Sequence, residues 1–244
     1  MKLELRDLHV ERGGQVVLAG LDLTLDSAAT LVVAGPSGAG KSTMLAAILG
    51  LVGPVRGGMW IDGEAVDATT AAGRAALWPK LGWVPQRPGA ALPARWSIAQ
   101  SVAHPLRLRG VGPAAAAQRA DAALRQVGLD ETLSARAPHR LSGGQQQRAV
   151  IARALVLGAA LLLLDEPSSA LDPAGTDALA AVLLTLQRDH GMSLLVVSHD
   201  VGLARALDAP VMLLARGRAQ SHSHGALWWQ QEQALWQGLA RETI

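Results

Sequence analysis

The feature that most constrains this chain is a glycine-rich octapeptide, Gly-Pro-Ser-Gly-Ala-Gly-Lys-Ser, between a strand pattern and a helical pattern. Its glycines let the backbone curl so that successive N–H groups point inward, and the following helix adds the positive end of its dipole. Lys41 supplies a flexible cation, and the Ser42 hydroxyl can bind Mg²⁺. The spacing predicts a phosphate loop (residues 35–42), with a plain glycine-rich turn as the alternative. The candidate contacts are Gly35, Pro36, Ser37, Gly38, Ala39, Gly40, Lys41, Ser42 and Thr43.

The patterns on both sides of the phosphate loop predict an α/β fold. Two N-terminal strands, joined by a turn at Gly13 and Gly14, predict an antiparallel pair at 3–8 and 16–25. Strands and helices then alternate, which predicts a mainly parallel sheet covered on both faces. With the phosphate loop after one of its strands, this pattern resembles a P-loop NTPase core. The further strands are predicted at 30–34, 59–62, 81–85, 161–164, 194–197 and 211–214, and the helices at 42–51, 145–156, 174–190, 201–207 and beyond 225.

The segment from Arg87 to Arg140 differs from this pattern because it contains no convincing strand. Pro and Gly separate two helical patterns, at 98–108 and 114–127. We therefore predict an inserted helical lobe (residues 87–146) within an α/β core formed by residues 1–86 and 147–244.

The composition excludes several classes of protein. Hydrophobic residues make up 50% and charged residues 17%, which argues against disorder, and a net charge of +2 gives no footprint for nucleic acid. The absence of Cys excludes disulfides and fits a reducing compartment. The longest apolar run, 154–164, is too short to cross a bilayer. We expect a chain that is soluble by itself and reaches a membrane only through a partner.

Four residue types, Phe, Tyr, Cys and Asn, are absent, although Trp occurs seven times. Their joint loss is improbable under ordinary amino-acid usage. Our hypothesis is a restricted alphabet or a computational redesign, and the alternative is a strongly biased genome.

Two carboxylates, Asp165 and Glu166, follow the four leucines of a predicted buried strand. Burying ionised carboxylates at the end of such a strand costs free energy unless a cation lies nearby. Mg²⁺ held at Ser42 is a suitable partner for Asp165, and Glu166 is placed to orient or deprotonate a water. The alternative is an ordinary strand end with solvated acids.

A second anion-binding device is predicted at the signature segment (residues 141–145, Leu-Ser-Gly-Gly-Gln). Ser142, Gly143, Gly144 and Gln145 stand at the start of a predicted helix, whose N-terminus attracts negative charge. One chain does not need two such devices, whereas a second chain could use this one. Spacing alone does not establish that arrangement.

Taken together, these motifs make the chain similar to the ATP-binding subunits of ABC transporters over essentially its whole length. The motifs occur in the order typical of the family: the phosphate loop, Gln86, the signature segment, and residues 161–166, 169–172 and 198–200. The resemblance implies two chains that enclose two ATP molecules. Each ATP would contact Lys41 and Ser42 of one chain and Ser142 and Gly144 of the other.

The resemblance also implies individual roles. Glu166 would be the general base, Asp165 would hold Mg²⁺, and His199 would contact the γ-phosphate. Gln86 would sense Mg²⁺ or the water, and Asp172 would couple the two sites. Simpler alternatives are a helix cap for His199, an ordinary loop position for Gln86 and an N-cap for Asp172.

The chain departs from the family where an aromatic ring usually stacks on adenine, because Arg12 stands there. A guanidinium stacks less reliably than a ring, so the resemblance leaves base affinity open. Near the C-terminus, His222 and His224 are too few for a metal site. An amphipathic helix is predicted from the spacing of Trp228, Trp229 and Trp236. It would pack on the core or contact a partner.

The implied partners are a second ABC ATPase chain, identical or different, and separate transmembrane permease subunits, with no nucleic acid. The chain would then be cytoplasmic and peripheral on the inner face of the membrane. Residues 91–98 and 105–107 are similar to the lobe of peptide and nickel importers. Alternatives are a soluble ABC ATPase without a transporter, a redesigned scaffold with weak turnover, and a phosphate-loop kinase, which would leave the signature segment unexplained.

Overall fold

The computed structural model describes residues 1–223, the last four by backbone alone. The strands are β1 (Leu3–Arg12), β2 (Gln15–Leu25), β3 (Thr30–Ala34), β4 (Arg56–Ile61), β5 (Glu64–Val66), β6 (Leu81–Val84), β7 (Leu161–Asp165), β8 (Ser193–Val197), β9 (Val211–Ala215) and β10 (Arg218–Ser223). The helices are α1 (Lys41–Ile48), α2 (Ala71–Leu77), α3 (Ile98–Leu108), α4 (Pro113–Gln126), α5 (Glu131–Ser134), α6 (Gly143–Val156), α7 (Pro173–His190) and α8 (Val201–Ala206).

An antiparallel sheet, in the order β2-β1-β4-β5, forms the N-terminal layer. Its apolar residues alternate along β1, where Leu3, Leu5, Leu8 and Val10 are buried. The hairpin between β1 and β2 turns at two glycines with positive φ, as predicted from the Gly-Gly pair.

The second sheet has the order β10-β9-β3-β8-β7-β6 and is parallel from β9 to β6. Successive residues of β7 face opposite sides of this sheet. Leu162 and Leu164 pack into a core shared with the helices, whereas Leu161 and Leu163 pack against the antiparallel sheet and α1. The parallel sheet is therefore buried on both faces, which explains why its strands are continuous apolar runs.

The helical lobe contains no strand among residues 87–146, as predicted. Helices α3, α4 and α6 pack on one another, and α6 also packs on β6. The predicted boundary between residues 146 and 147 falls inside α6, so the lobe and the α/β core share this helix.

The α/β class, with its antiparallel N-terminal strands and parallel-rich sheet, is confirmed, but several element bounds differ. Helix α1 ends at Ile48, before the predicted residue 51, because the chain turns at Gly50, whose φ is +70°. Helix α6 begins two residues earlier than predicted, because Ser142 caps it. The short elements β5 and α2 and the polar strand β10 were not predicted. The tryptophan-rich helix lies outside the described residues.

Within residues 1–223, no helix combines the length and apolarity that a bilayer crossing needs.

Candidate functional site

Four neighbouring strands end at one edge of the parallel sheet. The carboxyl ends of β3, β8, β7 and β6 lie side by side. Val33 and Asp165 each pair with Val197, and Val84 pairs with Leu164. The phosphate loop, residues 198–200, Glu166 and Gln86 follow these strand ends, and such an edge is where α/β sheets bind ligands.

The phosphate loop needs its glycines for two different reasons. Gly35 has a φ of +158°, and a Cβ there would overlap the carbonyl oxygen of Leu214. Gly40 is the left-handed N-cap of α1, with a φ of +106°, and a Cβ there would lie 2.7 Å from Leu18 Cδ2. Larger residues would push β9 or β2 away from the loop.

Lys41 extends over the phosphate loop. Its Nζ donates to the carbonyl oxygens of Gly35 at 2.6 Å and Pro36 at 3.0 Å. Burial lowers the pKa of Lys41, and the charges of Glu166 and Asp165 oppose that shift. The two carbonyls partner this cation at the place where a phosphate oxygen would bind it, so the loop fits a polyphosphate.

Asp165 and Glu166 lie opposite Lys41 and are partly buried. Burial raises the pKa of Asp165, the charge of Glu166 raises it further, and Lys41 opposes both effects. Among the described residues, no cluster of three or more His, Cys, Asp or Glu side chains could hold a metal ion alone. Ser42 and Asp165 offer the hard oxygen donors that Mg²⁺ prefers, and phosphate and water oxygens would complete its shell.

Glu166 has a left-handed backbone, with a φ of +47°. Its N–H donates to the carbonyl of Val197 at 2.8 Å, and its Oε2 lies 2.8 Å from His199 Nδ1. The simpler interpretation of His199 as a helix cap is wrong, because Asp200 caps α8 by accepting from the N–H groups of Gly202 and Leu203. His199 therefore meets the acid across two strand ends.

These side chains share an open cleft of about 350 Å³. Its lining residues are Val17, Ser37, Gly38, Gly40, Lys41, Ser42, Thr43, Gln86, Asp165 and Glu166. Nine of the ten lining residues were predicted from the sequence.

The signature segment lies elsewhere. Ser142 and Gln145 form a capping box at the start of α6, in which Ser142 Oγ accepts from the N–H of Gln145 and Gln145 Oε1 accepts from the N–H of Ser142. Ser142, Gly143 and Gly144 line a second cleft together with Asp172, which caps α7 by accepting from the N–H of Gly175. The two clefts share no lining residue among those described.

Sequence reasoning missed two residues that shape the first cleft. Val17 of β2 approaches Gly40, where a Cβ would meet its carbonyl oxygen at 3.1 Å. Gly217, in the turn between β9 and β10, donates its N–H to the carbonyl of Ala39 and accepts from the N–H of Ala19. Gly217 is a turn residue after the predicted strand 211–214, but no local signal in the sequence marks its contact with the phosphate loop.

Arg12 ends β1 opposite Gln15 and is exposed, and it does not line the first cleft. Pro36 enters the site only through its carbonyl, which accepts from Lys41 and from the N–H of Ala39.

The chain is similar in sequence to a known protein family and to individual ATP-binding proteins. A family model described as ABC transporter matches residues 18–169, more than half of the chain. The methionine import ATP-binding protein MetN of Caulobacter vibrioides is 37% identical over 207 residues, which are 85% of this chain and 61% of that protein. The lipoprotein-releasing system ATP-binding protein LolD of Psychrobacter arcticus is 39% identical over 199 residues, 81% of this chain and 87% of that protein.

Among solved structures, the dimeric post-hydrolysis state of the ATP-binding cassette MJ0796, bound to ADP and Pi, superposes with a TM-score of 0.80. It is 28% identical and covers 91% of this chain and 98% of that one. The chain spans about three fifths of the MetN relative's length, 61%.

Proposed function

This chain belongs to the ABC transporter family, and we propose that it binds and hydrolyses ATP as half of a dimer that encloses two nucleotides. The observation that carries this proposal is the separation of the two clefts. The first cleft provides the phosphate loop with the N-terminus of α1 and the two acids, whereas the second offers a separate helix N-terminus, that of α6, and no phosphate loop. Each cleft supplies what the other lacks, so two chains arranged head to tail would complete two sites.

In the proposed site, each residue stabilises or positions charge. The phosphate loop and Lys41 would bind the β- and γ-phosphates, and Ser142 and Gly144 of the second chain would meet the γ-phosphate. When bound, Mg²⁺ neutralises phosphate charge; Ser42 and Asp165 would hold it, with Gln86 nearby.

Glu166 would accept a proton from the attacking water, since its left-handed backbone directs the carboxylate into the cleft. His199 contacts that carboxylate and would leave it to reach the γ-phosphate. Asp172 would link the second cleft to α7, and Arg12 would lie beside the base.

The family also supports a proposal for the wider assembly. Its relatives are named as ATP-binding proteins of import and release systems, and we extend that role to this chain. The second half of the dimer would be a copy of this chain or another ABC ATPase, working beneath separate transmembrane permease subunits. The chain would then lie on the cytoplasmic face of the membrane, and its cargo would be set by those other subunits.

The test replaces Glu166 with Gln, which keeps the side-chain shape and removes the base. We expect phosphate release with Mg²⁺ and ATP to fall by about a hundredfold or more, because general-base catalysis contributes that much. We also expect a stable dimer that forms only with ATP, measured by light scattering. Glu64→Gln, on the exposed strand β5, is the matched control. It should keep the wild-type rate of phosphate release and the wild-type dimerisation behaviour.

A Glu166→Gln chain that stays monomeric with ATP would contradict the enclosed-nucleotide dimer. Wild-type turnover that disappears in Glu166→Gln would reject the interpretation as an inactive scaffold. Co-purification with a polytopic membrane protein would reject a soluble ATPase without a transporter.

A further inference from the structure

Charge is distributed unevenly along this chain, although its total is only +2. The basic segment (residues 68–164) contains twelve of the 22 Lys and Arg residues but only three of the 20 Asp and Glu residues. It therefore carries a net charge of +9, and the rest of the chain carries −7. A charge asymmetry of this size indicates a polyanionic partner, which is either a membrane surface or a nucleic acid.

The positive charge of the basic segment is not neutralised by ion pairs. In the part of the chain that the structure describes, every ion pair is formed by a cation outside this segment. Within it, Arg109 and Arg148 donate to the main-chain carbonyls of Leu157 and Val127, which carry no formal charge. Helices α3 and α6 contain no Asp or Glu. The charge of the helical lobe is therefore available to an external partner.

The lobe tip (residues 107–112) joins α3 to α4 and combines this charge with an exposed apolar side chain. Its turn is anchored from inside, because Leu106 is buried and Val111 packs against the core. Leu108 is instead 75% exposed, more than any other large apolar residue in the described chain. An exposed arginine flanks it on each side. The tip therefore presents one leucine between two cations to solvent.

This combination fits a bilayer better than a nucleic acid. An apolar side chain among cations gains free energy at the boundary between headgroups and acyl chains, while the cations are attracted to anionic lipid. Against a phosphate backbone the leucine gains nothing, and the lobe tip has no aromatic residue on which a base could stack. A chain attached to membrane subunits is also held at the bilayer, where even a weak contact is occupied.

We propose that the lobe tip contacts the anionic headgroups of the bilayer directly. Leu108 would enter the headgroup boundary, with Arg107 and Arg109 beside lipid phosphates and the exposed Arg119 of α4 as a further cation. This inference rests on the proposed function, because it gives the same transport subunit a second attachment to the membrane. The chain would then meet the membrane through lipid as well as through its partner subunits.

The first test uses the absence of cysteine from this chain. Leu108→Cys would carry one environment-sensitive dye, and Val55→Cys is the matched control, because Val55 is 61% exposed and lies outside the basic segment. With vesicles of phosphatidylcholine and phosphatidylglycerol we expect a blue shift of the dye at position 108 that added salt reverses. We expect no shift at position 55, and none at either position with phosphatidylcholine alone.

The second test removes charge from the full chain and measures co-sedimentation with the anionic vesicles. Arg107→Gln together with Arg109→Gln should weaken binding by about fivefold for each arginine, the equivalent of about 1 kcal/mol per basic residue at an anionic surface. If that pair does not fold, Arg107→Gln alone should weaken binding about fivefold. Arg188→Gln with Arg205→Gln, exposed on α7 and α8, is the matched control and should bind as wild type. ATP turnover without vesicles should be unchanged in all of these variants.

Equal dye shifts at positions 108 and 55, or shifts with neutral vesicles, would overturn the inference. So would competition by glycerol phosphate at the same phosphate concentration, because the tip would then be a site for free phosphate. Single-stranded RNA that displaces the vesicles, and whose own binding the two arginine changes weaken, would indicate a nucleic-acid surface instead. Vesicle binding by a wild-type chain that hydrolyses no ATP would refute the proposed function and leave the lipid contact standing.

Discussion

Glu166 shows how much of this site depends on single residues. Its left-handed φ is unusual for a residue with a long side chain and costs free energy, which is typical of functional positions. The conformation is held by the bond from its N–H to the Val197 carbonyl and by the contact with His199. The acid is therefore positioned by the neighbouring strand β8 before any nucleotide binds.

Arg12 is the residue that would lie beside the adenine base of ATP. Arg12 pairs with Gln15 at the end of the hairpin, and Val17, two residues further along β2, lies beside Gly40. Arg12 and Gln15 thus follow the part of β2 that borders the phosphate loop, and no tryptophan is among the described residues that line the cleft. We expect ATP and bare tripolyphosphate, each with Mg²⁺, to bind with equal affinity in calorimetry.

Arg12→Trp should then favour ATP by about tenfold, the order of magnitude of one stacked base. Glu11→Trp, on the opposite face of β1, should leave the ratio unchanged. Strong adenine selectivity in wild type would contradict the prediction.

At the scale of elements, α3 and α6 begin in the same way. Ser97 with Gln100 and Ser142 with Gln145 both form complete capping boxes, although only Ser142 lines the second cleft. The same local device therefore serves stability in one helix and, in the other, stability together with the proposed phosphate contact.

This pair allows a matched prediction. Ser97→Asp and Ser142→Asp should each change the free energy of unfolding by less than about 0.5 kcal/mol, because Asp caps helices as well as Ser. Only Ser142→Asp should abolish ATP-driven dimerisation, since its charge would repel the γ-phosphate. Denaturant unfolding and light scattering measure the two effects, and equal loss of dimerisation in both variants would refute a special role for Ser142.

At the scale of the whole molecule, the proposed sites are composite. Lys41→Ala and Ser142→Asp should each be inactive alone, since each damages both sites of its own dimer. Mixed in equal amounts, they should recover up to about half of wild-type turnover, because a mixed dimer holds one complete site out of two. Phosphate release from the mixture measures this, and turnover no higher than in either variant alone would contradict the composite site.

The features with a local cause were predictable from the sequence. The glycine loop, the buried apolar strands and the polar strand ends each have a signal within a few residues, and they predicted most of the first cleft. The short elements β5 and α2 and the strand β10 were not predicted from the sequence, because each has few residues or a polar pattern. Nothing in the structure explains the absence of Phe, Tyr, Cys and Asn.

Local signals in the sequence predicted the chemistry available at each position: a phosphate loop, two acids after a buried strand and a helix start near residues 141–145. Long-range packing sets which of these groups meet. The order β3-β8-β7-β6 brings Glu166 against His199 and Gln86 beside the loop, while α6 carries Ser142 to a different cleft. Strand order and helix packing come from contacts between distant residues, which no local period encodes.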